Sequence, residues 1–251
     1  MTAQHVTSKV VEVARTSSNA PIVLVCEHAS NFIPPELNGL GLTEEARLSH
    51  AAWDPGALGM AKAMADKLKA SLVFSKVSRL VYDCNRPPHA LDAMRDVSEA
   101  FDVPGNRHLN DAQRQARIAQ FYEPFESALA NEVMRHKEPV IITVHSFTPV
   151  YDGRVRDLEI GILHDSDTRL ADAILAVANT HMVRRNQPYG PEDGVTHTLR
   201  VHALPKSRLN VMIEVRNDLI ASQSAQHAMA QTLSEWVAKA LDSLGVPACK
   251  A

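Results

Sequence analysis

The chain has 251 residues, with 26 Lys+Arg against 29 Asp+Glu, a formal net charge of −3, and 45% hydrophobic residues. This ordinary globular composition excludes extended disorder, and 10 Gly, 14 Pro and 3 Cys exclude a collagen-like or disulfide-stapled scaffold. The slightly acidic balance gives no electrostatic basis for a nucleic-acid partner, and no apolar run approaches the roughly 20 residues that span a bilayer.

In chain order, residues 1–20 read as a loose leader without an apolar signal core, closed by the turn-forming run Thr16-Ser17-Ser18-Asn19. A cytoplasmic location is therefore expected. Residues 21–251 read as a single domain. Pro21 to Cys26 is a continuous apolar run of strand length, as in strands buried on both faces of an α/β sheet. Residues 56–70 place Leu58, Ala61, Met64, Ala65 and Leu68 at helical spacing. Ser71–Phe74 and Leu80–Asp83 read as short strands. Residues 87–110, rich in Pro, His, Asp and Asn, read as a long functional or mobile loop. Asp111 is the expected cap of a helix from Ala112 to about Lys137. Strands are expected over 140–144, 158–163 and 209–215. Helices are expected from an Asp167 cap to about residue 180 and from Ser224 to Leu244, with a loop over 186–191 between them. This alternation predicts one three-layer α/β/α domain with a mostly parallel sheet.

The informative residues are polar groups at strand ends, where open α/β sheets gather their ligands. Glu27 and His28 end the first strand, His145 follows the strand 140–144, and Glu214 lies in Ile213-Glu214-Val215. Asp54 sits before the helix that follows Trp53; with Pro55 beside it, it can equally cap that helix. Two imidazoles and a carboxylate make a usual catalytic zinc triad with one position open for water. On this reading His28, Asp54 and His145 are ligands and Glu214, a carboxylate behind Val-Met-Ile, is the base. Glu27 is the alternative third ligand. No short metal motif of the H-E-x-x-H kind is present.

Five segments resemble the N-formylglutamate amidohydrolase family. They are Val25-Cys26-Glu27-His28-Ala29-Ser30-Asn31-Phe32-Ile33-Pro34, Trp53-Asp54-Pro55-Gly56-Ala57, Ser78-Arg79-Leu80-Val81-Tyr82-Asp83-Cys84-Asn85-Arg86-Pro87, Val144-His145-Ser146-Phe147 and Ile213-Glu214-Val215-Arg216-Asn217-Asp218. The similarity covers roughly residues 20–240 in the family's order. It implies a phosphorylase/hydrolase-like α/β/α fold, one divalent metal with zinc as the first choice, and hydrolysis of a small N-acyl acidic amino acid. Where the family usually reads His-Ser-Gly, this chain has His28-Ala29-Ser30.

A substrate with two carboxylates calls for guanidinium groups. Arg79, Arg86 and Arg216 come from the resembling segments, and Arg154 and Arg156 lie just after His145. Asp83 can be a ligand or equally a structural partner of these arginines. Of the remaining histidines, His50, His136, His164, His181 and His227 read as surface residues. Cys26 and Cys84 read as buried small hydrophobes. Two other readings stand beside the metal amidohydrolase. One is a peptidoglycan-type amidase, disfavoured by the lack of an export signal. The other is a small-acid-binding protein that has lost its metal, disfavoured by the complete ligand set.

Overall fold

The structure, a computed structural model, describes residues 4–7, 9–15 and 20–246. Its centre is one eight-stranded sheet built from β1 (Gln4–Thr7), β2 (Val11–Arg15), β3 (Ile22–Cys26), β4 (Ser71–Ser75), β5 (Val140–Phe147), β6 (Ile160–Leu163), β7 (Val183–Arg185) and β8 (Asn210–Arg216), in the order β1-β2-β4-β3-β5-β8-β6-β7. The four central strands β4, β3, β5 and β8 run parallel. At one edge β2 and β1 are antiparallel; at the other β6 is antiparallel to β8, and β7 runs parallel to β6. The expected mixed, mostly parallel sheet is present.

Period-2 alternation sends each strand's side chains into two cores. Ile22 and Leu24, Ile142 and Val144, and Val211 and Ile213 pack with the helices Ala57–Leu68, Arg169–Val177 and Gln223–Ser243. Val23, Val25, Ile141 and Met212 pack on the opposite face with Ile118, Phe125, Leu129 and Val133. Burial of each such side chain contributes about 1.5–3 kcal/mol, so two continuous cores hold the sheet from both sides.

Several expectations need correction. The segment read as a loose leader supplies β1 and β2, because Val11 and Val13 have an apolar face to bury beside β4. Its turn run at residues 16–19 lies outside the described residues. Leu80–Asp83 is a buried turn rather than a strand. Ser78 Oγ accepts the Leu80 N–H and the Ser78 carbonyl accepts that of Val81, so local bonds take the donors a strand would need. The helix expected from Ala112 is capped by Asn110, in a reciprocal box with Gln113, not by Asp111. It runs as Asp111–Arg117, a π turn at Ile118–Tyr122, and Glu123–Met134. The helix after Asp167 spans Arg169–Val177, with Thr168 at the cap position. Residues 87–110 hold only short 3-10 turns and the two-residue ladder Val97–Ser98/Phe101–Asp102.

Candidate active site

β5 continues three residues past Val144, so His145 lies within a strand, not beyond its end. Its parallel partner in register is Glu214 of β8. Both project to the face opposite Val144 and Ile213, above the core formed by Ile141 and Met212. One strand over, the chain leaves β3 at Cys26 and delivers Glu27 and His28. Asp54 reaches the same point because its N–H donates to the His28 carbonyl at 2.9 Å. Gly56 then turns the chain into the helix Ala57–Leu68 at φ +82°. A Cβ there would lie 2.4 Å from the Ile220 carbonyl oxygen, so the turn needs glycine for both conformation and space.

Three donor atoms converge. His145 Nδ1 lies 2.9 Å from Asp54 Oδ2 and 3.2 Å from His28 Nδ1, and His28 Nδ1 lies 3.3 Å from Asp54 Oδ2. All three residues are buried, and their ligand atoms lie within 4.8 Å of one another. The far nitrogens each face a carboxylate: His28 Nε2 is hydrogen-bonded to Asp83 Oδ1 at 2.7 Å, whereas His145 Nε2 lies 3.1 Å from Glu27 Oε2 in an ion-pair contact without hydrogen-bond alignment. Arg79 closes the array, donating from Nη1 to Asp54 at 3.4 Å and from Nη2 to Asp83 at 3.1 Å.

Burial alone would raise the carboxyl pKa values of Asp54 and Asp83. The charge of His28 and further pairing with His145 hold Asp54 well below the usual carboxylate range; His28 and Arg79 do the same for Asp83. Burial would lower His145, but Glu27 and Asp54 push it well above the ordinary imidazole value. Glu214 differs. Burial raises its pKa to about 7, with the Asp54 charge adding to the rise and His145 opposing it. Its Oε2 is buried without a hydrogen-bond partner among the described residues.

These groups line a cavity of about 230 Å³, with His28, Asp54, His145 and Glu214 at its floor and Arg79, Arg86, Arg95, Glu99, Tyr189 and Asp193 around it. The five arginines separate. Arg79 and Arg86 line the cavity. Arg86 is buried and fixed, with Nε on Asp92 at 2.8 Å and Nη1 on the Gly194 carbonyl. Arg156 stands behind the wall, donating to Tyr189 Oη at 3.2 Å with its guanidinium over the rings of Tyr151 and Tyr189. Arg216 is taken up by Asp218 and by the carbonyls of Arg156 and Leu158, and Arg154 is exposed in the ladder Val150–Tyr151/Arg154–Val155. Neither of these two reaches the cavity. His50, read as a surface residue, lines it 3.8 Å from Asp54 Oδ1, and His164, read likewise, is buried against Arg185.

The residues match the model of one family, described as N-formylglutamate amidohydrolase, over residues 20–221. The chain belongs to that family. A match to an amidohydrolase family supports hydrolysis of an amide bond. Among solved structures, the gene product Atu2144 of Agrobacterium tumefaciens is similar at 52% identity and a TM-score of 0.93, covering 95% of this chain and 97% of that one. The N-formylglutamate amidohydrolase of Ralstonia eutropha JMP134 shares the fold at 16% identity and a TM-score of 0.67, covering 94% and 98%. No curated protein matches the chain.

Sequence reasoning missed Arg95, Glu99, Tyr189 and Asp193. Arg95 and Glu99 lie in the loop 87–110, whose polarity marked the segment but not these two positions. Tyr189 and Asp193 lie in and just after the loop 186–191, which has no periodic pattern and is brought to the cavity only by folding. Cys26 and Cys84 are buried, as expected of small hydrophobes, and Cys249 lies outside the described residues.

Proposed function

We propose that this protein hydrolyses the amide bond of N-formylglutamate, or of a close N-acyl acidic amino acid, with one divalent ion held by His28, Asp54 and His145, zinc being the first choice. The observation that supports it best is the convergence of two imidazole nitrogens and a carboxylate oxygen on one buried point. The donor set suits the ion: two nitrogens and one oxygen leave a tetrahedral position open. Two of the carboxylates at the cavity, Asp54 and Glu214, are buried, and a dication there would offset their charge.

When bound, the ion supplies Lewis-acid polarisation of the amide carbonyl and a more acidic water. The rest of the chemistry belongs to the chain. Glu214, whose Oε2 has no hydrogen-bond partner among the described residues, takes a proton from the attacking water and returns it to the departing amine nitrogen. Arg86 holds a substrate carboxylate. Its guanidinium is fixed through Nε and Nη1, while Nη2 has no hydrogen bond among the described residues. Nη2 alone is then left to donate, from a planar group held in place as a lysine ammonium is not. Formate and glutamate leave as products.

Exhaustive chelation should abolish hydrolysis of N-formylglutamate, and about one equivalent of zinc should restore it; full activity without metal would overturn the metal reading. N-formylglutamine, equal in length but uncharged at its side-chain end, should be the poorer substrate. Arg86→Lys should cost about 2–5 kcal/mol in kcat/KM for the acid at unchanged zinc content. Equal rates on both substrates, with Arg86→Lys silent, would remove the acidic-substrate reading while leaving amide hydrolysis in place.

A further inference from the structure

Each metal-facing imidazole has a buried carboxylate at its other nitrogen. Asp83 Oδ1 lies 2.7 Å from His28 Nε2, and Glu27 Oε2 lies 3.1 Å from His145 Nε2. The pairing is crossed: Glu27, the chain neighbour of His28, serves His145, whereas Asp83 serves His28 from 55 residues further along. Both carboxylates are buried, with Glu27 1% and Asp83 3% exposed, so neither is an incidental surface contact. Asp83 is itself clamped, accepting from Arg79 Nη2 at 3.1 Å and from the Asn85 N–H at 2.9 Å.

A neutral imidazole carries one N–H and one lone pair, and an ionised carboxylate can only accept. Asp54 faces Nδ1 as well, so it is only where Nδ1 gives its lone pair to an ion that the ring proton must go to Nε2, and there the carboxylate at Nε2 accepts it. In both rings Nδ1 is the nitrogen turned toward Asp54 Oδ2, at 3.3 and 2.9 Å. With an ion there, the tautomer and the converging donors thus agree in both histidines.

We propose that Asp83 and Glu27 are a pair of positioning residues, not ligands, that lock His28 and His145 into the Nε2–H tautomer so that both bind the metal through Nδ1. This rests on the metal reading given under the proposed function. It also settles the choice of third ligand. Glu27 faces the side of the His145 ring away from the converging donors, which leaves Asp54 as the carboxylate ligand. The carboxylates add charge that favours the dication and hold the rings where the donors already meet, which lowers the cost of organising the site on binding.

The test measures zinc affinity by competition with a chromophoric chelator, together with long-range ¹H–¹⁵N correlation spectra of the histidine rings in the zinc-loaded wild type. The spectra should show protonated Nε2 and metal-shifted Nδ1 for both His28 and His145. Asp83→Asn and Glu27→Gln should each weaken zinc binding about 10–100-fold. A ring bound through Nε2, or both variants within twofold of wild-type affinity, overturns the proposal while the metal reading survives. A wild-type protein that binds no zinc overturns both. The spectra need no variant, so the proposal stays open to refutation even if a substitution disturbs folding.

Discussion

At the scale of single residues, Glu214 is set apart by its surroundings. Asp54 and Asp83 are as deeply buried, yet cationic partners keep them ionised; Glu214 has no such contact and its pKa rises to about 7. Glu214→Gln keeps size and shape, so zinc content should persist while kcat falls about 10²–10⁴-fold, the usual contribution of a general acid–base group. A drop under about threefold would assign Glu214 to structure. The same shift carries a stability consequence in the metal-free protein. Between about pH 4.5 and 7 the folded state keeps a proton on Glu214 that the unfolded chain has released, so stability declines as pH rises through that window. The full penalty, at most ~3 kcal/mol, is present above pH 7 and absent below about pH 4. Metal-free Glu214→Gln should therefore melt higher than metal-free wild type at pH 8 and no higher at pH 4, as calorimetry would show.

At the scale of elements, the site depends on how neighbouring segments are tied. The segment 78–86 looks like a strand with a polar tail, but its polar residues are anchors. Ser78 Oγ donates to the Ala52 carbonyl, Asp83 takes His28, Asn85 Nδ2 donates to the Val195 carbonyl, and Arg86 reaches Asp92 and Gly194. One turn thereby fixes the Asp54 segment, His28 and the 193–198 stretch. Gly56 plays the matching part on the other side. In Gly56→Ala, the left-handed backbone costs about 1–2 kcal/mol, and the new Cβ meets the Ile220 carbonyl. The variant should lose more than ~2 kcal/mol of stability in denaturant titration. Because Asp54 lies two residues away, zinc affinity should fall with it; undiminished affinity would show that Asp54 is held independently of this turn.

For the whole molecule, the proposed metal site would link ion binding to folding. His28, Asp54 and His145 come from three separate segments and meet only in the folded sheet. An ion bound by this set stabilises the native state by about 2.7 kcal/mol at a free concentration of 100 Kd. For a chain of this length that corresponds to a Tm rise of roughly 5–10 °C over the chelated protein. Loss of that increment in His145→Ala, with the metal-free Tm little changed, would tie the effect to this site. An equal zinc-dependent rise in His145→Ala would place the bound ion elsewhere.

The sequence by itself determined the architecture and most of the chemical inventory. Apolar runs at 21–26 and 140–144 and the largely apolar stretch 209–213 suit strands covered on both faces, and the polar residues at or just past their ends, His28, His145 and Glu214, fall at the edge where such sheets bind ligands. The five segments with their order carried the family. Tertiary structure alone decided how those residues are used. A parallel register placed Glu214 beside His145, a fact of pairing that no local pattern encodes. Arg86 and Arg216 look equivalent in sequence, yet one lines the cavity and the other is consumed by backbone carbonyls, because the fate of a long side chain is set by whichever acceptors folding brings near. The same holds for Glu27 and Asp83: one reads as a spare ligand and the other as a ligand or an arginine partner, and only the distances to the two Nε2 atoms show which ring each one faces.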